Sequence, residues 1–350
     1  KVAFEIAVED IGGTVNGEED NFIYYDTTNN PETAVTAAQD LIGQNVDAVI
    51  GSFQSSDVVA ALPYLEDAGI ANVFMGTSGS LVTDDQKYSV RGAFNADYSI
   101  PQFIETMQEL QYENIAVFYG QDEASIANWE SMEPALEEAG LNVVAVETGT
   151  ESDTDYSAQC LKIVDSNPDV VYVVCSGAGV NFVKQLREYG YNGIVMNKDE
   201  WMTSHVDQIG EANSQYLMGC VAYTTYKTIE AAQEAGAREE VITFLEKFQE
   251  KTGSLPTVGI TYRCYDSCYL LLEAAKRAGT NHDSDTIIEA MLGINDISLC
   301  MGPVDFTQGD REPCHEFMRT IYVDGGSKNF DNWLTDGGYD AYKSATGREK

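Results

Sequence analysis

The feature that most constrains the fold is an alternation of short apolar runs with amphipathic helical patterns. Residues 47–51 form an apolar run typical of a buried strand, residues 56–68 follow with a helical pattern, and residues 71–75 form the next apolar run. Such a series implies parallel strands joined by crossover helices, because a parallel pair needs a long connection. We therefore predict an α/β fold with doubly wound parallel sheets.

The alternation runs twice along the chain. The first series is predicted to contain strands at 21–25, 47–51, 71–75 and 87–91 and helices at 2–11, 30–42 and 56–68. The second series is predicted to contain helices at 101–111, 126–139, 156–166 and 178–189 and strands at 115–119, 142–147, 170–175, 193–197 and 218–224. A break near residues 91–98 separates them, so two lobes are expected.

The last third of the chain does not continue the alternation. Two helices, 239–252 and 262–278, follow one another without a strand, and we expect them to return to the first lobe. Short strands at 304–307 and 317–323 are predicted around a hairpin. The predicted lobes are therefore residues 1–93 with 226–313, and residues 94–225 with 314–350.

Charge restricts the partners. The chain has 57 acidic and 20 basic residues, a formal net charge of −37, which would repel nucleic acid and anionic membrane surfaces. There is no apolar run of about 18 residues and no basic-then-apolar leader, so we expect a mature or trimmed form without a membrane span. Nucleic acid is not an expected partner.

The seven cysteines and three histidines do not form the paired spacings of a zinc site, so no metal is predicted. Cys160 and Cys220 fall in apolar patterns and are predicted to be core residues. Cys300 and Cys314 flank the predicted hairpin and are the one pair considered for a disulfide. No cofactor is predicted, because a strand followed by Gly177-Ala178-Gly179 lacks the third glycine of a dinucleotide fingerprint.

Two successive strands of the first series end in loops rich in hydroxyls and glycine. Ser55 and Ser56 follow the run at 47–51, and Gly76, Thr77 and Ser78 follow the run at 71–75. At the carboxyl ends of parallel strands, hydroxyls and free N–H groups can hold an anion such as a carboxylate. The alternative is that these serines and threonines are ordinary helix N-caps.

In the second series, Asp199, Glu200 and Trp201 follow the strand at 193–197. A carboxylate there could pair with a ligand ammonium, and Trp201 could supply an apolar or cation–π wall. The alternative is an exposed acidic helix start with a packing tryptophan. An enzyme could use Asp199 and Glu200 as acid and base, but the chain has no nucleophile–base pair or catalytic motif.

The order of these pieces resembles the leucine/isoleucine/valine-binding family of type I periplasmic solute-binding proteins, which feed amino-acid ABC transporters. The matching text spans nearly all 350 residues and includes VAFEIAVEDI, YYDTTNNPETAVTAAQDLI, VDAVIGSFQSSDVVAALPYLEDAGIANVFMGTSGSLVT, TDYSAQCLKIVDSNPDVVYVV, FVKQLREYGYNG, YDSCYLLLEAAKRAG and MGPVDF. The resemblance implies two α/β lobes joined by three crossovers that close on a ligand between them.

The resemblance also implies the site residues. The ligand carboxylate would be held by Ser55, Gly76 and Ser78, with Ser56 and Thr77 beside them. Its ammonium would meet Asp199 or Glu200. The other positions implied or considered for the pocket are Ala124, Ser125, Cys175, Ser176, Trp201 and Tyr262.

This chain departs from the family at three places. Residues 121–125 and 175–176 lack the aromatic residues that are frequent there, so a branched-chain aliphatic ligand is in doubt. Family members also begin with a strand that would lie mid-sheet, and we expect that the sequence shown has been trimmed before it.

Our leading hypothesis is a non-enzymatic, extracytoplasmic and monomeric binding protein for an amino acid or similar small carboxylate, working with an ABC transporter permease. A ligand-sensing receptor of the same fold, or an α/β enzyme using the cleft carboxylates, are the alternatives.

Overall fold

The computed structural model describes residues 1–19, 21–174, 177–198 and 200–348. It divides into two compact units. Unit 1 consists of Lys1–Asn95, Arg238–Ser254 and Ile260–Glu316, and unit 2 consists of Ala96–Ala237, Leu255–Gly259 and Phe317–Lys350. Residues 226–237 and 255–259, predicted in the first lobe, fall in unit 2, and residues 94–95 and 314–316, predicted in the second lobe, fall in unit 1.

Helices and strands alternate as the apolar pattern predicts. The described α-helices, α1 to α14, are Val2–Ile11, Pro31–Gly43, Ser55–Ala68, Ile100–Glu109, Glu123–Glu138, Ser157–Asp165, Gly177–Glu188, Thr203–Ile209, Ile229–Glu234, Glu239–Thr252, Ile260–Ala278, Ser284–Leu292, Phe330–Thr335 and Gly338–Thr346. The described strands, β1 to β12, are Ala48–Ile50, Ala71–Phe74, Ser89–Arg91, Asn114–Gly120, Asn142–Gly149, Val170–Val174, Val195–Asn197, Leu217–Val221, Ile297–Leu299, Gly302–Val304, Met318–Val323 and Gly326–Asn329. Among the described helices, none combines the length and apolarity needed to cross a bilayer.

Unit 1 contains a parallel sheet in the order β1-β2-β3. Its helices begin where local chemistry favours them: Pro31 occupies the first turn of α2, and the Asn30 side chain accepts a hydrogen bond from the Thr33 N–H. Helix α3 packs Val58 and Leu62 against Phe74 of β2 and Leu81. This packing brings the start of α3 beside the loop that follows β2.

The strand predicted at 21–25 is wrong. These residues form no ladder with another described strand, and Ile23, Tyr24 and Tyr25 are each more than two fifths exposed. The rings of Phe22 and Tyr24 instead pack on Phe4 of α1. A groove of about 380 Å³ separates this segment from β1. The aromatic, β-favouring composition predicts a strand, but a strand also needs a partner at ladder distance.

Unit 2 is built on a seven-stranded sheet in the order β12-β11-β8-β7-β6-β4-β5. Strands β4 to β8 are parallel, whereas β11 pairs antiparallel with both β8 and β12. Both faces are covered, because one core contains Phe103, Trp129 and Tyr172 and the other contains Phe118 and Phe182. Burial on both faces explains the continuous apolar run of β6, VVYVV.

The end of unit 1 also differs from prediction. The hairpin is formed by β9 and β10, so it lies before the predicted position, and the predicted strand at 304–307 ends at Val304. The disulfide considered between Cys300 and Cys314 is wrong, since both are buried free thiols. The Cys314 Sγ lies 3.4 Å from the Met301 carbonyl oxygen, and the Cys300 Sγ lies 3.9 Å from that of Glu240. Cys160 and Cys220 are buried in the core, as predicted.

Candidate functional site

The two hydroxyl-rich loops of unit 1 lie in direct contact. The Ser78 N–H donates to the Ser55 Oγ across 3.4 Å. A Cβ on Gly76 would lie 3.3 Å from the Ser55 Cα and 2.5 Å from the Leu81 Cδ1, so a side chain here would displace the Leu81 methyl group and press on the Ser55 backbone. The structure therefore brings Ser55, Gly76 and Ser78 together at the carboxyl ends of β1 and β2.

The hydroxyls at this edge do not act as ordinary N-caps. Helix α3 has Gln54 at its N-cap and no side-chain capping hydrogen bond, while Ser55 receives its bond from the neighbouring loop. Ser78 precedes a short 3₁₀ turn without capping it, and its Oγ lies 2.9 Å from the Ser80 Oγ. Thr77 is buried and Ser56 is partly buried. The capping alternative thus does not account for the serines in this position.

A buried arginine holds the second loop. Arg91, the last residue of β3, is fully buried, and its guanidinium donates to the carbonyl oxygens of Gly76 and Ser78, the latter at 2.8 Å. Its Nε forms an ion pair of 2.5 Å with the Glu312 Oε2. Arg91 was not among the site residues predicted from the sequence, although a basic residue at the end of the predicted strand at 87–91 was a signal that it needed a buried partner.

The carboxylate of Glu312 is itself tied in place. The Asn95 side-chain amide donates to its Oε1 across 3.2 Å, and the Glu312 N–H donates to the Asp310 side chain. Burial raises the pKa of Glu312 above its ordinary value, while the Arg91 guanidinium acts in the opposite direction. Arg91, Glu312 and Asn95 thus form a network behind the loop.

The unit 2 residues named from the sequence occupy two different environments. The Ser125 N–H and hydroxyl both donate to Asp122, which caps α5, and Ala124 lies in the same helical turn. Trp201 is buried in the core, and its indole N–H donates to the Met218 carbonyl oxygen across 3.1 Å. Trp201 therefore packs in the core of unit 2, and its predicted contact with a ligand stays a prediction.

The remaining candidates are buried or undescribed. Glu200 is buried in unit 2, with its carboxylate packed against Gly259. Tyr262, on α11 in unit 1, is buried with its ring centroid 5.4 Å from that of Phe244. Cys175, Ser176 and Asp199 lie outside the described residues.

Comparison with known proteins agrees with this architecture. Residues 1–327 match the family model described as periplasmic binding protein. The leucine-specific-binding protein of Salmonella typhimurium is 24% identical over 326 residues, covering 92% of this chain and 85% of that protein.

Solved structures share the fold. The substrate-binding protein of a branched-chain amino acid transporter from Streptococcus pneumoniae, in complex with isoleucine, has a TM-score of 0.79 and 20% identity, covering 94% of this chain and 92% of that one. A solute-binding protein of an ABC transporter from Rhodopseudomonas palustris, in complex with 3,4-dihydroxybenzoic acid, has a TM-score of 0.81 and 21% identity, covering 94% and 89%.

The fold and the strand-end loops define a protein of the binding-protein class with parallel α/β units. The family match extends over nearly the whole chain, and the protein belongs to the periplasmic binding protein family.

Proposed function

We propose that this protein is an extracytoplasmic solute-binding protein that binds an amino acid or a similar small carboxylate for an ABC transporter. The observation that carries the proposal is the contact between the two loops at Ser55 and Gly76–Ser78. Hydroxyls and backbone N–H groups gathered at strand ends suit a carboxylate, which accepts several hydrogen bonds.

Two of the ligand complexes among similar structures support a carboxylate rather than a particular side chain. Isoleucine and 3,4-dihydroxybenzoic acid differ in size, shape and amino group, but each carries one carboxylate. In this chain the carboxylate would meet the Ser55 and Ser78 hydroxyls and the Thr77 N–H. The contributions of Ser56, Ala124, Ser125, Cys175, Ser176, Asp199, Glu200, Trp201 and Tyr262 to the rest of the ligand stay predictions.

We also propose that the protein works with a transporter permease and does not catalyse a reaction. The protein acts as a monomer, delivers its ligand to the permease and releases it unchanged. Recovery of the bound small molecule without modification, measured by mass spectrometry after prolonged incubation, is the expected result. A converted product would show that the site catalyses a reaction.

Calorimetry tests the carboxylate directly. We would titrate the wild-type protein with L-leucine, L-isoleucine, benzoate and 3,4-dihydroxybenzoate, and with leucinol, which lacks the carboxylate of leucine. At least one carboxylate should bind. If leucine is a ligand, leucinol should bind at least about tenfold more weakly, because it lacks a charged acceptor for these hydrogen bonds.

Variants then assign the contact. The double variant Ser55→Ala/Ser78→Ala should weaken binding of the tightest carboxylate by about tenfold or more. The matched control is Ser344→Ala, because Ser344 is an exposed helix residue whose hydroxyl bonds only its own helix. Failure of every carboxylate to bind, or an unchanged Kd in the double variant, would contradict the proposal.

A further inference from the structure

Arg91 has no place among the residues that the sequence assigns to the ligand, but it holds the loop that contains three of them. Its two terminal nitrogens donate to the carbonyl oxygens of Gly76 and Ser78. In a trans peptide unit, the carbonyl and the N–H of the next residue point in opposite directions. A guanidinium bound to these two carbonyls therefore turns the N–H groups of Thr77 and Gly79 away from Arg91.

The peptide unit between Thr77 and Ser78 is oriented by a side chain of α3. The Ser78 N–H donates to the Ser55 Oγ at 3.4 Å. Three successive peptide units are thus fixed by side chains on two other elements, namely α3 and β3. Within the described part of the chain, the Thr77 N–H donates to no protein acceptor, so it is available to a ligand.

The guanidinium is fixed as firmly as the loop. The Glu312 carboxylate, the ring of Phe74 at 5.2 Å and the two loop carbonyls surround Arg91, and the Asn95 amide holds the second oxygen of Glu312. Lysine at this position has a single ammonium and lacks the planar fork. It could not hold both carbonyls and the carboxylate in the same geometry.

We infer that the Arg91–Glu312 pair is a positioning device for the anion-binding loop: it presents the backbone N–H of Thr77 to the ligand while contacting no ligand itself. The inference rests on the proposed function and adds to it, because it places part of the affinity for the carboxylate in a buried network outside the ligand site.

The experiment compares ligand affinity with stability in two arginine variants. Arg91→Lys should raise the Kd for the tightest-binding carboxylate of the panel by about tenfold. This is the effect of losing one well-oriented hydrogen bond to a charged group. The control is Arg187→Lys. Arg187 also donates to loop carbonyls, but at the amino ends of β7 and β8. The control should lower the melting temperature and leave the Kd within about twofold.

A second variant remains informative if Arg91→Lys fails to fold. Arg91→Met/Glu312→Leu removes both buried charges, a replacement that is often neutral or stabilising. It should fold, yet bind the same carboxylate at least about tenfold more weakly, because the Gly76 and Ser78 carbonyls have lost their donor.

The outcomes separate the two ideas. If the wild-type protein binds none of the carboxylates, the proposed function fails. If the wild type binds, and Ser55→Ala/Ser78→Ala weakens binding while the folded Arg91 variants retain the wild-type Kd, the positioning role alone is overturned.

Discussion

Each unit contains an arginine whose guanidinium donates to several loop carbonyl oxygens. In unit 1 these loops lie at the carboxyl ends of the parallel strands, and in unit 2 they lie at the amino ends. Arg91 lies at the carboxyl end of β3 and bonds the loop after β2. Arg187, on α7, bonds the carbonyls of Tyr191 and Gly193 before β7 and those of Asn213 and Gln215 before β8. Ligands of parallel α/β sheets bind at the carboxyl edge, so the same chemistry is expected to have different consequences.

The partners of the two guanidinium groups also differ. Arg91 is fully buried and has the Glu312 carboxylate as counter-ion. Arg187 is partly exposed, and the acceptors recorded for it in the described chain are four carbonyls, with the ring of Tyr191 5.7 Å away. Burial lowers the pKa of Arg187 to about 10, which still leaves it charged at neutral pH. One network contains a titrating acid and the other is built on neutral acceptors.

The largest expected effect is the loss of stability on removing Arg187, which lies at the amino ends of β7 and β8. Arg187→Ala should reduce the free energy of unfolding by roughly 2–4 kcal/mol, because several carbonyls lose their donor together. Chemical denaturation followed by circular dichroism measures this loss. The Kd for the carboxylate ligand should stay at the wild-type value, since the affected loops lie at the amino ends of the unit 2 strands, whereas the proposed ligand loops follow the carboxyl ends of β1 and β2 in unit 1.

A loss of ligand affinity in Arg187→Ala as large as that expected for Arg91→Lys would contradict the difference between the two arginines. It would show that loops at the amino ends of the unit 2 strands also shape the site. The positive control for unfolding is Arg348→Ala. The guanidinium of Arg348 lies 4.5 Å from the same Tyr191 ring, but within the described chain it donates only to Asn192 and to the Pro168 carbonyl oxygen, so its removal should cost less stability.

The sequence predicted the alternating architecture but not the partners of these arginines. Apolar runs and N-cap residues indicate strands and helices locally, and most elements lie within a few residues of their predicted bounds. Helices α8, α9, α12, α13 and α14 were not predicted, because helices of six to nine residues span too few turns to give a clear period. The strand predicted at 21–25 was wrong for a different reason, since strand propensity does not supply a neighbouring strand.

The candidate site was predictable only where its residues lie close in sequence. Ser55 and Gly76–Ser78 follow successive parallel strands, so topology alone brings them to one edge. Glu312 lies 221 positions from Arg91, and no local pattern pairs two residues so distant. For Trp201 the sequence left two interpretations open, a pocket wall or a packing residue. The structure adds that its indole N–H donates to the buried Met218 carbonyl oxygen, and a contact with a ligand stays a prediction.

The next effect in size concerns the contact between the two loops. Gly76→Ala should weaken ligand binding by about tenfold, because the new methyl would press on the Ser55 backbone and the Leu81 side chain. Gly43→Ala is the matched control, since a Cβ on Gly43 meets nothing within 4 Å. Titration calorimetry compares the two variants. Wild-type affinity in Gly76→Ala would show that the close approach does not shape the site.

The smallest effect is a pH dependence that separates the two arginine networks. Burial raises the pKa of Glu312 from its ordinary 4.5, so the folded protein retains this proton to a higher pH than the unfolded chain. The contribution of Glu312 to stability is therefore fully present below pH 4.5 and is lost as the pH rises through the folded pKa. Melting temperatures of wild type and Glu312→Gln should be measured from about pH 4 to about pH 8. As the pH rises, the melting temperature of the wild type should fall relative to that of Glu312→Gln. The offset between wild type and Arg187→Ala should stay constant over this range, because backbone carbonyls do not titrate. A constant offset for Glu312→Gln as well would mean that the Arg91 guanidinium balances the burial of its partner, and the two networks would then be electrostatically alike.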